Sequence, residues 1–182
     1  MPLVVTVSGL HGSGKSTYAK ALAEEFRLRY VSAGQLFREI AKDKGVSMEE
    51  LIQITADDPE MDRMIDERTK REAEKGDVIV DGQLAGWMAK EKADLKIFLT
   101  APEDVRIKRI AERDSVDLEK ARAQTVLREN AERERYEKYY DIDIGDISIY
   151  DLIMDTSLLP LEESIKILKN IISDYIGRQR RR

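Results

Sequence analysis

Eight residues near the start of the chain, Gly9-Leu10-His11-Gly12-Ser13-Gly14-Lys15-Ser16, restrict the fold more than any other feature. They follow the β-branched run Leu3-Val4-Val5-Thr6-Val7-Ser8, which reads as a buried strand. They precede Thr17 to Phe26, where Ala19, Leu22, Ala23 and Phe26 recur at helical spacing. Strand, glycine-rich turn and helix form the setting in which G-x-x-x-x-G-K-[ST] becomes a phosphate-binding loop, the Walker A motif. The glycines let the backbone turn until several N–H groups converge on phosphate oxygens. The helix start behind Gly14 adds the positive end of its macrodipole. Lys15 brings a point charge to β- and γ-phosphates, and the Ser16 hydroxyl suits Mg²⁺. Expected donor contacts therefore run through Gly9, Leu10, His11, Gly12, Ser13, Gly14, Lys15, Ser16 and Thr17. His11 occupies a variable position of the loop, faces solvent or stands behind the contacts, and is assigned no chemistry.

The remaining pattern alternates strands and helices. Arg29-Tyr30-Val31 reads as a short strand, and Ala33 to Lys44 as a helix ended by Gly45. Ser47 with Glu50 fits a capping box, and Asp58-Pro59 opens a long polar helix to about Lys75. Val78 to Gly82 and Leu95 to Leu99 read as strands, and Pro102 starts a helix to about Arg113. Asp117 to Tyr140 is charged almost all round, and Leu152-Ile153-Met154 is a fifth strand. Leu161, Ile165, Leu168, Ile172 and Tyr175 mark an amphipathic closing helix. The expectation is a P-loop NTPase-like α/β fold: three α/β/α layers around a five-stranded parallel sheet. A single domain spans 1–182, with a helical insert at about 32–76 and a short lid at about 106–135. The stretch Arg106 to Arg135 is too poor in apolar residues for a core and is expected to be a mobile attachment.

Composition removes several chemistries. The chain has no cysteine and one histidine, which excludes disulfide scaffolds, thiol nucleophiles and multi-histidine metal centres. Charged residues are 37% of it, and no apolar run approaches the ~20 residues of a membrane helix. With 31 basic against 36 acidic residues the net charge is −5, which argues against a nucleic-acid partner. Met1 to Gly9 carries no basic leader, so the cytoplasm is the expected location and a monomer the default state.

Three further groups point towards the loop. Asp81, ending the Val78-Ile79-Val80 strand, is placed to share Mg²⁺ with Ser16, because ligands of open α/β sheets lie beyond the strands' carboxyl ends. Arg38 lies one turn into the helix that follows Ser32, where it can face an acceptor phosphate. Arg128, Glu132 and Arg135 fall within a ~60° arc of one helix face. That face is either an ion-pair ladder or a substrate clamp, in which planar guanidinium forks take phosphate.

In these residues the chain resembles the nucleoside monophosphate kinases, most closely cytidylate kinases of the archaeal type. The resemblance spans nearly the whole chain and rests on Ser32-Ala33-Gly34…Arg38, Asp81-Gly82 and the Arg128…Glu132…Arg135 spacing. It implies that 32–76 is the monophosphate-binding insert and that Arg38 binds the acceptor phosphate. It implies that Arg128 and Glu132 hold the ribose and phosphate side, that Arg135 lies near the acceptor, and that Arg63 contacts the base. Ser32, Asp81 and Gln83 complete the implied substrate set. Gln83 stands where the family often has arginine, and Leu84 where bacterial members carry a cytosine-reading aspartate. The implied reaction is ATP + CMP → ADP + CDP with Mg²⁺, and dCMP as a second acceptor. Arg109 and Arg113, one turn apart, would close over the transferring group. Rival readings are a kinase for UMP, AMP or a shikimate-like acceptor, and a P-loop ATPase switch acting on RNA or protein through the basic tail Arg178 to Arg182. Trp87 and Tyr139-Tyr140 are read as packing residues rather than base-stacking platforms.

Overall fold

The computed structural model describes residues 2–55 and 60–179. The expected helix start at Asp58-Pro59 and the last three arginines of the tail lie outside the described residues. β1 (Val4–Gly9) is buried along its whole length, as a strand covered on both faces must be. It is the middle strand of a parallel five-stranded sheet in the order β2-β3-β1-β4-β5. The others are β2 (Arg29–Ser32), β3 (Val78–Asp81), β4 (Leu95–Thr100) and β5 (Leu152–Asp155). From β1 the chain first moves outward to β2 and later crosses to β4, so the strand order reverses at β1. A crevice opens there, at the strands' carboxyl ends. Register brings the functional residues to that edge: Val7 and Ser32 both pair with Asp81, Gly9 pairs with Leu99, and Thr100 pairs with Asp155.

Helices α1 (Lys15–Phe26) and α8 (Leu161–Gln179) cover one face. There Leu22, Ile79, Ile97, Leu168 and Ile172 are fully buried together. On the other face α4 (Glu60–Glu74) and the short α5 (Ala85–Ala89) set Ala73, Ala85 and Ala89 against Val4, Val78 and Val80. Small side chains bring these helices close to the strands. α5 and the 3₁₀ turn Lys90–Lys92 are additions to the sequence reading, since a single turn of helix has too few residues to display a period. The insert has its own centre, in which α2 (Ala33–Lys44), α3 (Met48–Thr55) and α4 bury Phe37, Ala41, Leu51 and Ile65.

Local caps explain most boundaries. The Ser32 hydroxyl accepts from the Gln35 N–H at 3.2 Å, and Gly45 closes α2 at φ 67°. The capping box is present: Ser47 and Glu50 exchange bonds of 2.7 and 3.1 Å. Pro102 precedes α6 (Glu103–Asp114) as its N-cap rather than as its first turn. Asp117 caps α7 (Leu118–Tyr140) through the Lys120 N–H at 2.8 Å. One expectation is corrected here. The stretch 106–135 does hold a small core, because Ile107, Ile110 and Ala111 of α6 bury against Ala121 of α7. Its apolar residues are few, but Ile107, Ile110, Ala111, Val116 and Ala121 gather at the one α6–α7 contact. Trp87 and Tyr140 pack on Leu84, Met88, Ile142 and Ile144, as packing residues should.

Candidate active site

A cleft of about 1080 Å³ opens at the carboxyl edge of the sheet. The phosphate loop forms its floor, α7 one wall and the insert the other. Gly12 (φ 78°) and Gly14 (φ 93°) adopt the left-handed backbone that aims the loop's amides inward. At Gly12 space matters as well, since a Cβ would stand 2.5 Å from the Arg106 carbonyl. The loop therefore rests directly on α6. Arg106 was read only as part of a charged surface, yet it is 5% exposed. Its guanidinium donates to the His11 carbonyl at 2.8 Å and to Glu129 at 2.6 Å. A buried arginine with a carboxylate 23 positions on leaves no spacing signal in a sequence.

Lys15 folds over the loop, its ammonium donating to the Leu10 carbonyl at 2.9 Å. Burial lowers its pKa to about 8, against the pull of Asp81 and Glu132. The Ser16 hydroxyl donates to Asp81 at 2.6 Å, and Tyr30 donates to the same oxygen at 2.8 Å. Asp81 is 2% exposed, so Tyr30, which the sequence reading passed over, helps fix its orientation. Burial and the Asp81 charge both raise the Tyr30 phenol, keeping it a donor. A hydroxyl and a carboxylate are hard oxygen donors suited to Mg²⁺, which takes few protein ligands and completes its shell with phosphate and water. Among the described residues no three His, Cys, Asp or Glu side chains could cage a metal by themselves.

Arg128, Glu132 and Arg135 all reach the cleft, as their spacing predicts. Arg128 Nε donates to one Glu132 oxygen at 2.8 Å, and His11 Nε2 meets the other at 2.6 Å. Of the two places expected for His11, facing solvent or behind the contacts, the structure shows the second, with its ring tied to Glu132. Burial raises Glu132, but the His11 and Arg128 charges and hydrogen bonds override this and hold the carboxyl well below its usual range. Burial, helped by Arg128 and Lys15, outweighs Glu132 and lowers the imidazole. Arg135 is 5% exposed, and Gln83 lines the same cleft with both amide atoms buried and without a hydrogen-bond partner.

Arg38 and Arg113 line the cleft with exposed side chains, and Arg113 pairs with Asp114 at 2.6 Å. Arg109 also lines the cleft, with its guanidinium engaged by the chain itself. It donates to the Thr156 hydroxyl at 2.8 Å and carbonyl at 2.9 Å, beneath the loop. Thr156 in turn stands within donating range of the Ser13 and Thr100 carbonyls, at 3.0 and 3.1 Å. Arg63 is exposed on α4 and is not among the cleft residues, whereas Ile65 and Asp66 are. At ~100° per residue Ile65 lies about 200° round the helix from Arg63. Ser32 lines the cleft with its hydroxyl engaged as a cap, and Thr17 lines it beside Ser16.

A parallel sheet with this loop after its central strand, facing a wall of arginines, defines a P-loop phosphotransferase fold. A shikimate kinase from Bacteroides thetaiotaomicron shares that fold, with a TM-score of 0.64 over 95% of this chain and 99% of that one at 15% identity. The chain belongs to the cytidylate kinase-like family, whose profile matches residues 4–158. It is 48% identical over 174 residues to a cytidylate kinase of Staphylothermus marinus, covering 96% of this chain and 98% of that one. It is also 48% identical over 173 residues to one of Desulfurococcus amylolyticus, covering 94% of each.

Proposed function

We propose that the protein transfers the γ-phosphoryl group of ATP to CMP, and to dCMP as a second acceptor. The observation that carries this reading is the placement of Arg128, Glu132 and Arg135 across one cleft from Lys15 and its loop. A single triphosphate needs only the loop. A second bank of guanidinium groups fits a second phosphate-bearing molecule.

In the proposed reaction an acceptor phosphate oxygen forms a bond to the γ-phosphorus while the bond to the β,γ-bridging oxygen breaks. The acceptor oxygen already carries negative charge, so no protein base is required. Catalysis is positioning and charge neutralisation. Lys15 and the loop amides hold the donor, while Arg38, Arg128 and Arg135 gather the acceptor. Ser16 and Asp81 would hold Mg²⁺, which would supply neutralisation of the charge on the donor phosphates. Arg113 remains placed to close over the group in transfer. Arg109 is assigned the support of the loop through Thr156. Within residues 106–135, the turn from Arg113 to Lys120 acts as the lid that excludes water, the competing acceptor. Both halves of the cleft come from one chain, in keeping with a monomer, and ATP and CMP meet in the cytoplasm. No described helix is long and apolar enough to cross a membrane.

Base selection is assigned to Asp66, a residue the sequence reading did not single out. Four carboxylates line the cleft: Asp66, Asp81, Asp114 and Glu132. Asp66 belongs to the insert, is 8% exposed, and stands with Phe37 and Ile65 on the same wall. A carboxylate accepts from the cytosine N4 amine and repels the O4 of uracil. Asp66→Asn should lower the CMP-over-UMP ratio of kcat/KM at least about tenfold. An unchanged ratio removes Asp66 from base selection.

The test of the whole reading is phosphate transfer from ATP to CMP, dCMP, UMP and AMP side by side. CMP should be fastest, and ATP turnover nearly idle without an acceptor. Equal ATP hydrolysis without acceptor, stimulated by RNA, would replace the kinase reading with the switch.

A further inference from the structure

The phosphate loop and the acceptor clamp are joined by bonds that neither substrate supplies. The main-chain carbonyl of His11 accepts from Arg106, whose other partner is Glu129 on α7. The side chain of His11 meets Glu132, also on α7, one helical turn further along. Glu132 is 6% exposed at its side chain, and its second oxygen holds Arg128 by Nε. A guanidinium held by Nε keeps its terminal fork free for phosphate. The chain of contacts thus runs from loop to imidazole, carboxylate and guanidinium, ending at the acceptor's side of the cleft.

With Glu132 ionised between two donors, the proton of a neutral imidazole must lie on Nε2, pointing at the carboxylate. That bond transmits position. Donor phosphates fix the loop, the loop fixes His11, and His11 fixes the orientation of Glu132 and therefore of Arg128. Nothing in the phosphate-binding motif requires a histidine at this position. A side chain lacking a donor there would leave the loop able to bind donor phosphates but unable to report their presence to α7.

We propose that His11 is a positioning residue that couples the two substrate sites, so that donor in the loop tightens acceptor binding through the His11–Glu132 contact. The proposal rests on the two-nucleotide reading of the cleft. Coupling is reciprocal, so each ligand must raise the other's affinity by the same factor, and such factors commonly run from about 5- to 150-fold.

The experiment is calorimetric titration of CMP with and without a non-hydrolysable ATP analogue, and the reverse, on the wild-type protein, His11→Ala and His11→Gln. The measured quantity is the ratio of the two dissociation constants, which cancels any general weakening of either site. The expected result is a wild-type ratio of at least about fivefold. It should fall to near one in His11→Ala and recover partly in His11→Gln, whose amide can still donate to Glu132. A merely structural histidine would lower both affinities and leave the ratio intact. A ratio of one in the wild type, or a full ratio in His11→Ala, overturns the proposal. Wild-type CDP formation, assayed separately, decides the kinase reading: a chain that makes CDP but shows no His11-dependent coupling loses only this inference.

Discussion

Lys15 is the residue whose removal should be felt most in the transfer step. Lys15→Ala takes away the ammonium assigned above to the donor phosphates. It should lower kcat by about 100- to 1000-fold, the cost of removing one well-placed charge-stabilising donor. Steady-state CDP formation checks this, and a near-normal kcat would strip Lys15 of its role. His11 makes a second prediction in solution. It is the chain's only histidine, so between pH 7 and 5 no other side chain has its ordinary value inside the window. Burial holds the folded imidazole below its ordinary 6.5, against Glu132 and with Lys15 and Arg128 assisting. The unfolded chain therefore binds more protons there, and stability present above about pH 6.5 is lost on acidification. Glu132, also depressed on folding, adds a loss of the same sign once the pH approaches its ordinary 4.5. Tm should drop from pH 7 to 5, and His11→Gln should flatten that slope; identical slopes would reject the assignment. At this scale the motif residues were legible because their chemistry is local: Lys15, Ser16, Asp81 and the α7 arginines lie where their spacing puts them. Arg106, Thr156 and Asp66 were not, because each acts across more than 50 residues or through burial that only packing creates.

Among the elements, the contact between the phosphate loop and α6 is the tightest. Gly12 has a positive φ and faces the Arg106 carbonyl, so Gly12→Ala meets strain and a clash together. The expected cost is on the order of 1–3 kcal/mol, read as a lower urea midpoint at unchanged m, with weaker donor binding. A variant with wild-type midpoint and donor affinity would show that the loop does not lean on α6. Strands and long helices could be read from the sequence because burial and caps act over neighbouring residues. The run Val78-Ile79-Val80 and the stop at Gly45 left little freedom. α5 escaped notice because its residues serve the sheet's far face, where Ala85 and Ala89 pack on Val78 and Val80. The small core of the α6–α7 pair was missed for the opposite reason: its polar residues outnumber the apolar ones, yet five of the latter meet at one seam.

For the molecule as a whole, the anchors set which parts are able to move. Arg106 and Arg109 tie the first half of α6 to the loop and to Thr156. Arg113, at the exposed end of α6, has only its neighbour Asp114 as an ion-pair partner among the described residues. Closure therefore belongs to the turn from Arg113 to Lys120, which already lines the cleft, and to the insert with its separate core. Small-angle scattering should show a smaller radius of gyration when a bisubstrate analogue with CMP and ATP halves is added. An unchanged radius would mean that the cleft is shut from the outset. The overall fold was the most legible level of all, since alternating strands and helices around one glycine-rich turn admit few arrangements.

One resting contact bears on how the enzyme recovers after each cycle. The Lys15 ammonium leans on the Leu10 carbonyl of its own loop. When the spent donor departs, that oxygen takes over from the phosphate. The cation thus trades one acceptor for another, and product escape never leaves a bare charge behind.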